Sequence, residues 1–576
     1  MLKREVSSII RLGSLREQVK RFIFKIGCEN MLKPLAIGLD DFRRVREEQY
    51  YYVDKTLLIK DFLDNKKYVS LITRPRRFGK TLNMTMLREF FDITKDSKDI
   101  FHGLHIMETE HATKINSVPV IYLTFKNCSG NTLEDLKENL AAAMWDEYER
   151  YAKIFACTID DKESDEYYFF YQTMEMIKKG SIKDSLLGNS LSNLIKTVNI
   201  HYNKRPILLI DEYDHPLIKA HEKGFRNEFS ELYGGFLGKG LKGNSHLEQA
   251  LLTGIQRVAK ESIFSELNNF LVYTVLDEQY SPYFGLSELE TSQALLAYGE
   301  ELSDAVRLYY DGYLFGGLNM YNPWSILCYI ERRKLKPYWI NTSTNALIKD
   351  SIKNADQDFT KAFEKLVMDD EVEVSVNLEA SFMELASTKT LWGLLINSGY
   401  LTVTKEHTSR INRLKIPNLE VKDEFRGIVA TYTRLNNDKL NELFDALMEQ
   451  DMNRFLMAYQ DLIYDYVSMY DVKENSYHML FLGMAISVSG MYHVRSNQEA
   501  GDGRPDILLE SLQPNIRPHI IFEFKQGEDV KQLAQKALDQ ILEKKYYTSL
   551  KGEVLCVGIA HSKKKCEMIY EDFFIG

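Results

Sequence analysis

Short apolar runs alternate with longer stretches in which apolar residues recur every three or four positions, and this mixture of two periods predicts an α/β protein. Residues 68–72 (YVSLI), 119–125 (PVIYLTF), 205–210 (RPILLI) and 247–253 (LEQALLT) read as strands of a covered sheet. Residues 57–63 and 82–91 have one apolar face each and predict helices, the first capped by Asp54 or Thr56, and residues 132–202 read as mostly helical with charged faces. A glycine-rich run, 234–240, stands before the fourth strand. From Tyr280 the pattern changes to helices and aromatic turns at 309–313, 321–325 and 339–343. Residues 391–403 predict a helix that runs into a hairpin ending near Ile416, a winged-helix-like unit. In the last hundred residues Asp506 starts a strand and residues 519–525 (HIIFEFK) form its partner. A helix over 530–546 and a closing strand over 554–560 follow. A chain of 576 residues exceeds what one hydrophobic core organises, so several domains are expected.

The first strand cannot continue past Arg74, because Pro75 lacks an N–H and fixes its own φ. Gly79, Lys80 and Thr81 then open a helix. Strand, tight loop, Gly-Lys-Thr and helix form a phosphate-binding arrangement. Backbone N–H groups at the helix start cradle phosphate oxygens, Lys80 reaches the β- and γ-phosphates, and Thr81 brings a hydroxyl to Mg²⁺. The nucleotide-binding set is therefore Arg74, Pro75, Arg76, Arg77, Phe78, Gly79, Lys80 and Thr81. The general pattern has a glycine where this chain has Arg74, and a surface loop with a basic cluster is the plainer reading. A second segment favours the nucleotide. The strand at 205–210 runs into Asp211 and Glu212, an acid pair of the Walker B form. Asp211 would hold Mg²⁺ through water, and Glu212 would polarise the attacking water. Thr253, at the end of the next strand, is placed to sense a γ-phosphate, and Arg257 to stabilise transition-state charge. A helix cap and a surface arginine are the competing readings.

A second centre lies near the C-terminus. Gly503, Arg504 and Pro505 lead into Asp506, and period-two alternation puts Glu523 and Lys525 on one face of the partner strand. Two carboxylates beside an ammonium suit Mg²⁺-assisted phosphodiester hydrolysis. Asp506 and Glu523 would hold the ion, and Lys525 would orient or deprotonate water. The order β–β–α–β with this D…ExK pattern, and Gln540 on the helix, is that of PD-(D/E)xK nucleases. An exposed salt-bridged strand face is the alternative.

Charge and cysteines narrow the setting. The net charge of −10 gives no global attraction for nucleic acid, so such binding relies on a local patch. Lys525, Lys531, Lys536, Lys544, Lys545 and Lys551 supply one. Six cysteines without a Cys-x-x-Cys pair argue against a zinc knuckle or a disulfide framework and fit a reducing cytoplasm. No uninterrupted run of eighteen apolar residues predicts a membrane span. Residues 1–30 are basic and loosely amphipathic, and read as an extension before a domain that starts at Met31.

Taken together, Arg74 to Thr81, Asp211 to Asp214, Tyr309 to Phe315, Tyr321 to Ser325 and Gly503 to Lys525 carry a resemblance over nearly the whole length. The chain resembles the bacterial proteins that join an AAA-ATPase-like domain to a C-terminal PD-(D/E)xK nuclease-like domain, a family that shares the arginine at position 74. The resemblance implies ATP and one Mg²⁺ at the first site and one or two Mg²⁺ at the second. It places Glu474 on the helix opening the nuclease fold, with Glu474 or Glu499 as a third acid. The expected organisation is an extension (1–30), a P-loop AAA-like ATPase domain (31–285), a helical and winged-helix-like lid (286–425), a helical linker (426–465) and an α/β restriction-endonuclease-like domain (466–576). The expected activity is an ATPase coupled to a Mg²⁺-dependent nuclease acting on nucleic acid in the cytoplasm, with no membrane partner and room for an oligomer. The rival is a nucleotide switch whose nuclease-like domain only binds nucleic acid or protein.

Overall fold

Five apolar runs become strands in the computed structural model of the chain: β1 (Val69–Thr73), β2 (Val120–Thr124), β3 (Ile207–Asp211), β4 (Gln249–Gly254) and β5 (Phe270–Tyr273). The described residues are 32–156, 167–257, 270–339, 371–376, 388–408, 411–422, 437–466, 491–496 and 503–575, with a few positions between 359 and 366 and between 481 and 488. All five strands are parallel, in the order β2-β3-β4-β1-β5. Parallel neighbours need crossover connections, and helices supply them. Helix α1 (Lys80–Phe91) follows β1, while Leu133–Phe155, Tyr168–Lys178 and Asp184–Tyr202 lie between β2 and β3. Every residue of β1, β3 and β4 is buried, which is why these strands read as mainly apolar runs without alternation. The fifth strand has no counterpart in the sequence reading. It is four residues long and half-exposed, so its pattern is too short to separate from a loop.

The glycine-rich run 234–240 lies inside the helix Arg226–Leu241. At Gly240 a Cβ would come within 2.5 Å of Leu191 Cδ2, so the missing side chain lets this helix close on Asp184–Tyr202.

Two compact units divide the chain. The first takes in the described residues up to Trp339, together with Asn397–Gly399. Its later part holds an antiparallel sheet of β6 (Leu286–Ser287), β7 (Tyr313–Phe315) and β8 (Leu318–Tyr321), in the order β6-β8-β7. Leu286, Tyr310, Tyr321 and Ile326 form one core here, and Leu35, Ile37, Tyr51 and Val53 pack against it. The segment at 50–56, which precedes the helix Leu57–Asn65, thus lends Tyr51 and Val53 to packing. Asp54 accepts from the N–H (2.8 Å) and hydroxyl (2.6 Å) of Thr56, so the two residues proposed as a helix cap are bonded to each other.

In the second unit the helix Thr388–Asn397, whose last residue belongs to the first unit, precedes a hairpin of β10 (Thr402–Thr408) and β11 (Ile411–Lys415). A further strand, β9 (Glu371–Val374), pairs antiparallel with β11. Its second sheet runs β12 (Tyr492–Ser496), β13 (Ile507–Ser511), β14 (His519–Gln526), β15 (Gly552–Ser562) and β16 (Lys565–Ile575), in chain order. Only the β14–β15 pair is parallel, and helix α2 (Val530–Glu543) is its crossover. The expected order β–β–α–β is present, with β12 and β16 added at the edges. Ile520, Phe522 and Phe524 point into a core with Leu443, Phe455 and Tyr459, from the helices Asn437–Met448 and Met452–Tyr466. Ile521 joins Leu538 and Ile541 of α2 on the other face. The alternation that puts Glu523 and Lys525 on one face is therefore fixed by two cores. Among the described residues no helix is long and apolar enough to cross a membrane.

Candidate functional sites

Because β1 to β5 are parallel, their carboxyl ends share one edge, and the acids and hydroxyls singled out in the sequence meet there. Gly79 has φ +84° and caps α1 from the left-handed region, where glycine is unstrained. The first N–H groups of α1 then lack helical acceptors and face the loop. Lys80 is buried and donates from Nζ to the carbonyls of Arg74 (2.9 Å) and Pro75 (2.7 Å), which holds the ammonium across the loop. Burial pushes it down to about 8, against the pull of Glu212, Asp211 and Asp214.

One carboxylate joins the ends of three elements. Thr81 Oγ1 donates to Asp211 Oδ2 (2.7 Å) and Thr253 Oγ1 donates to Asp211 Oδ1 (2.6 Å), linking α1, β3 and β4. Asp211 is buried, and desolvation raises its pKa. The next residue, Glu212, has φ +54°, a costly conformation for a side chain with a Cβ and one found where strain serves a site. This turn lets Asp214 accept from the backbone N–H groups of Ile255 (2.9 Å) and Gln256 (2.7 Å), tying the acid loop to the end of β4. Desolvation pushes Asp214 up to about 6. At Gly254 a Cβ would stand 2.6 Å from Asp214 Oδ1 and 2.7 Å from Tyr213 Cε1, so the approach requires glycine. Asp214 and Gly254 were not singled out as site residues, although the order Asp-Glu-Tyr-Asp places a third acid beside the pair.

The loop residues do not all point one way. The Arg74 guanidinium is fully buried and donates to Thr73 O (2.8 Å), Tyr273 O (3.1 Å) and Ser281 Oγ (3.3 Å). It lies 5.5 Å from the ring centroids of both Phe284 and Phe315, so its side chain braces the loop from inside the fold. Phe78 is equally buried, 5.0 Å from the rings of Tyr313 and Phe315. Arg77 is exposed, with its guanidinium 4.0 Å from the Trp324 ring. The Arg76 carbonyl accepts from Trp339 Nε1 (2.9 Å). The aromatic turns of the sequence are thus the loop's supports, a role that sequence spacing does not reveal. Arg257 follows the turn after β4, two residues beyond Ile255.

At the second centre Asp506 stands before β13, and Ile507 pairs with Phe522, which brings Asp506 opposite Glu523. Asp506 Oδ2 accepts from Phe524 N (2.7 Å), and Asp506 N donates to Glu523 Oε2 (3.3 Å). Lys525 Nζ donates to Glu523 Oε1 (3.0 Å), and Gln540 Nε2 of α2 donates to the same oxygen. Gln540 also donates to Tyr546 Oη (3.1 Å), adding a tyrosine that the sequence reading did not name. Glu523 is only 2% exposed, and burial, then Asp506, push its carboxyl up to about 7. At Gly558, opposite Glu523 on β15, a Cβ would lie 2.4 Å from Ala534 O, so glycine lets α2 close over this part of the sheet. Two carboxylates with hard oxygens, flanked by an ammonium, fit a divalent cation. Glu474 and Glu499, the proposed third acids, lie outside the described residues.

The comparisons agree with this layout. A family model described as "Predicted AAA-ATPase" matches residues 36–264, and one for the PD-(D/E)XK nuclease superfamily matches residues 472–571. The chain joins an AAA-ATPase-like domain to a PD-(D/E)XK nuclease superfamily domain. The AAA-ATPase-like match contains the loop, the acid pair and Thr253, and the nuclease superfamily match contains Asp506, Glu523, Lys525 and Gln540. The chain is also similar to a protein of Azotobacter chroococcum mcd 1 described as an uncharacterized protein in the vnfD 5' region. The two are 27% identical over 406 residues, which covers 68% of each.

Proposed function

We propose that this protein binds and hydrolyses ATP at the loop of Arg74 to Thr81 and cleaves nucleic acid at Asp506, Glu523 and Lys525. The observation that carries the first half is the three-way junction of Thr81, Asp211 and Thr253 beside Lys80. A hydroxyl and a buried carboxylate side by side, next to a cation and a helix N-terminus, suit a nucleotide phosphate with its Mg²⁺. That ion would be held through Thr81 and Asp211, and it neutralises charge on the phosphates. Held by its two loop carbonyls, Lys80 directs its remaining N–H to the β- and γ-phosphate oxygens. Glu212, at the strained turn, orients the attacking water and takes its proton, and Thr253 sets the orientation of Asp211.

The second half rests on Asp506 and Glu523 facing each other across β13 and β14 with Lys525 bonded to Glu523. A divalent ion held there supplies Lewis acidity at the scissile phosphate. Glu523 must be ionised to hold it, Lys525 orients or deprotonates the attacking water, and Gln540 keeps the Glu523 carboxylate in place. Hydrolysis of either bond serves one protein in one cytoplasmic setting.

Phosphate release from ATP and cleavage of plasmid, linear, single-stranded DNA and RNA, each with Mg²⁺ or Mn²⁺, test the reading. Divalent-dependent cleavage that is lost in Lys525→Ala is the expected result. ATP turnover with no cleavage of any nucleic acid would leave the C-terminal domain as a binding module.

A further inference from the structure

Residue 74 has three polar groups, and each is committed to a different neighbour. Its N–H donates to Gly254 O (3.1 Å) at the end of β4. Its guanidinium donates to Tyr273 O at the end of β5 and to Ser281 Oγ, between the rings of Phe284 and Phe315. Its carbonyl accepts from Lys80 Nζ (2.9 Å). A short peptide unit pinned on both flanks cannot rotate, so the direction of that carbonyl is set by the side chain's anchors. Burial disfavours the charged guanidinium, and the aromatic faces, the carbonyls and the field of Asp277 offset this. A cation kept in the fold at such a cost, at a position where a glycine suffices for a phosphate loop, has a purpose beyond filling space.

We propose that Arg74 is the positioning residue of the phosphate loop: anchored on Tyr273 and Ser281, it fixes its own carbonyl and so places the Lys80 ammonium for a nucleoside di- or triphosphate. The inference rests on the reading of residues 74–81 as a phosphate loop. It also makes Tyr273, Ser281, Phe284 and Phe315 supports of the nucleotide site through Arg74.

A double-mutant cycle separates positioning from general support. Affinities for MgATP and MgADP are measured by displacement of a fluorescent ATP analogue from the full chain and from Arg74→Met, Arg74→Lys, Lys80→Ala and the Arg74→Met/Lys80→Ala double variant. Folding of each is checked by circular dichroism. Arg74→Met is expected to bind about tenfold more weakly and Arg74→Lys to recover part of the loss. The double variant is expected within about twofold of Lys80→Ala, because the arginine acts through the lysine. Wild-type affinity in folded Arg74→Met, or losses that multiply in the double variant, would overturn the proposal. If Arg74→Met does not fold, Ser281→Ala removes a single anchor. It should weaken binding about threefold and show the same non-additivity with Lys80→Ala, and unchanged affinity there overturns the proposal equally. Failure of the wild type to bind, or unimpaired Lys80→Ala, would instead refute the phosphate-loop reading.

Discussion

Glu523→Gln should make the protein more stable at pH 8 while removing its second chemistry. The Glu523 carboxyl is buried and is pushed from 4.5 up to about 7, by desolvation first and by Asp506 second. A native value above the unfolded one means that the folded state binds the proton more tightly. Stability contributed by this proton is therefore full below about 4.5, declines as the pH rises, and is gone above about 7. At about 1.4 kcal/mol per factor of ten in acidity, the ionised carboxylate costs the fold at most about 3 kcal/mol. The pull of Lys525 is already contained in that value, and glutamine keeps an acceptor for its ammonium. The gain at pH 8 is then at most about 3 kcal/mol, or several degrees in the melting temperature of the C-terminal transition. Scanning calorimetry of both proteins at pH 5 and pH 8, in a chelator, reads the difference directly. Mg²⁺ should then raise the wild-type melting temperature and leave the variant unchanged. A variant no more stable than wild type at pH 8, or a difference equal at both pH values, would refute the argument that Glu523 stores a desolvation cost for a cation to relieve.

Glu212→Gln should keep its MgATP affinity and lose about a hundredfold in phosphate release, since only the water-orienting carboxylate changes; loss of binding would remove Glu212 from that role. Asp506→Asn should abolish Mn²⁺ binding at the C-terminal centre by calorimetric titration and leave ATP turnover intact. If a folded Asp506→Asn protein loses ATPase activity, the two centres are not independent. Gly254→Ala pushes a methyl group against Asp214 and Tyr213 and should cost about 1–3 kcal/mol, with a fall in turnover. A wild-type melting curve and wild-type phosphate release in that variant would show that the close approach is not needed.

The sequence speaks most clearly where one physical pattern dominates. The residues of β1, β3 and β4 are buried on both faces and so are mainly apolar, and the chemistry at their ends sits where such strands must stop. Glu523 and Lys525 were legible because a strand's period of two leaves no other arrangement. The supports were not. Arg74 looks like one of three basic residues in a loop, and only the fold shows it turned inward, towards Tyr273 and Ser281, some two hundred residues away. The same holds for Trp339 and the Arg76 carbonyl. The run 234–240 lies inside a helix for a reason that composition alone hides. Glycine usually breaks a helix, but at Gly240 it lets two helices touch. Strands β5 and β16 lie at sheet edges, where exposure mixes polar residues into the pattern and weakens the periodic signal.

The central claim is that residues 74–81 hold a nucleotide through Lys80. Calorimetric titration of MgATP into the wild type and into Lys80→Ala, each verified as folded, tests it most directly. The account predicts saturable binding to the wild type and an affinity lowered well over about tenfold in the variant, because the buried ammonium facing the β- and γ-phosphates is gone. Equal affinities in the two proteins would contradict it.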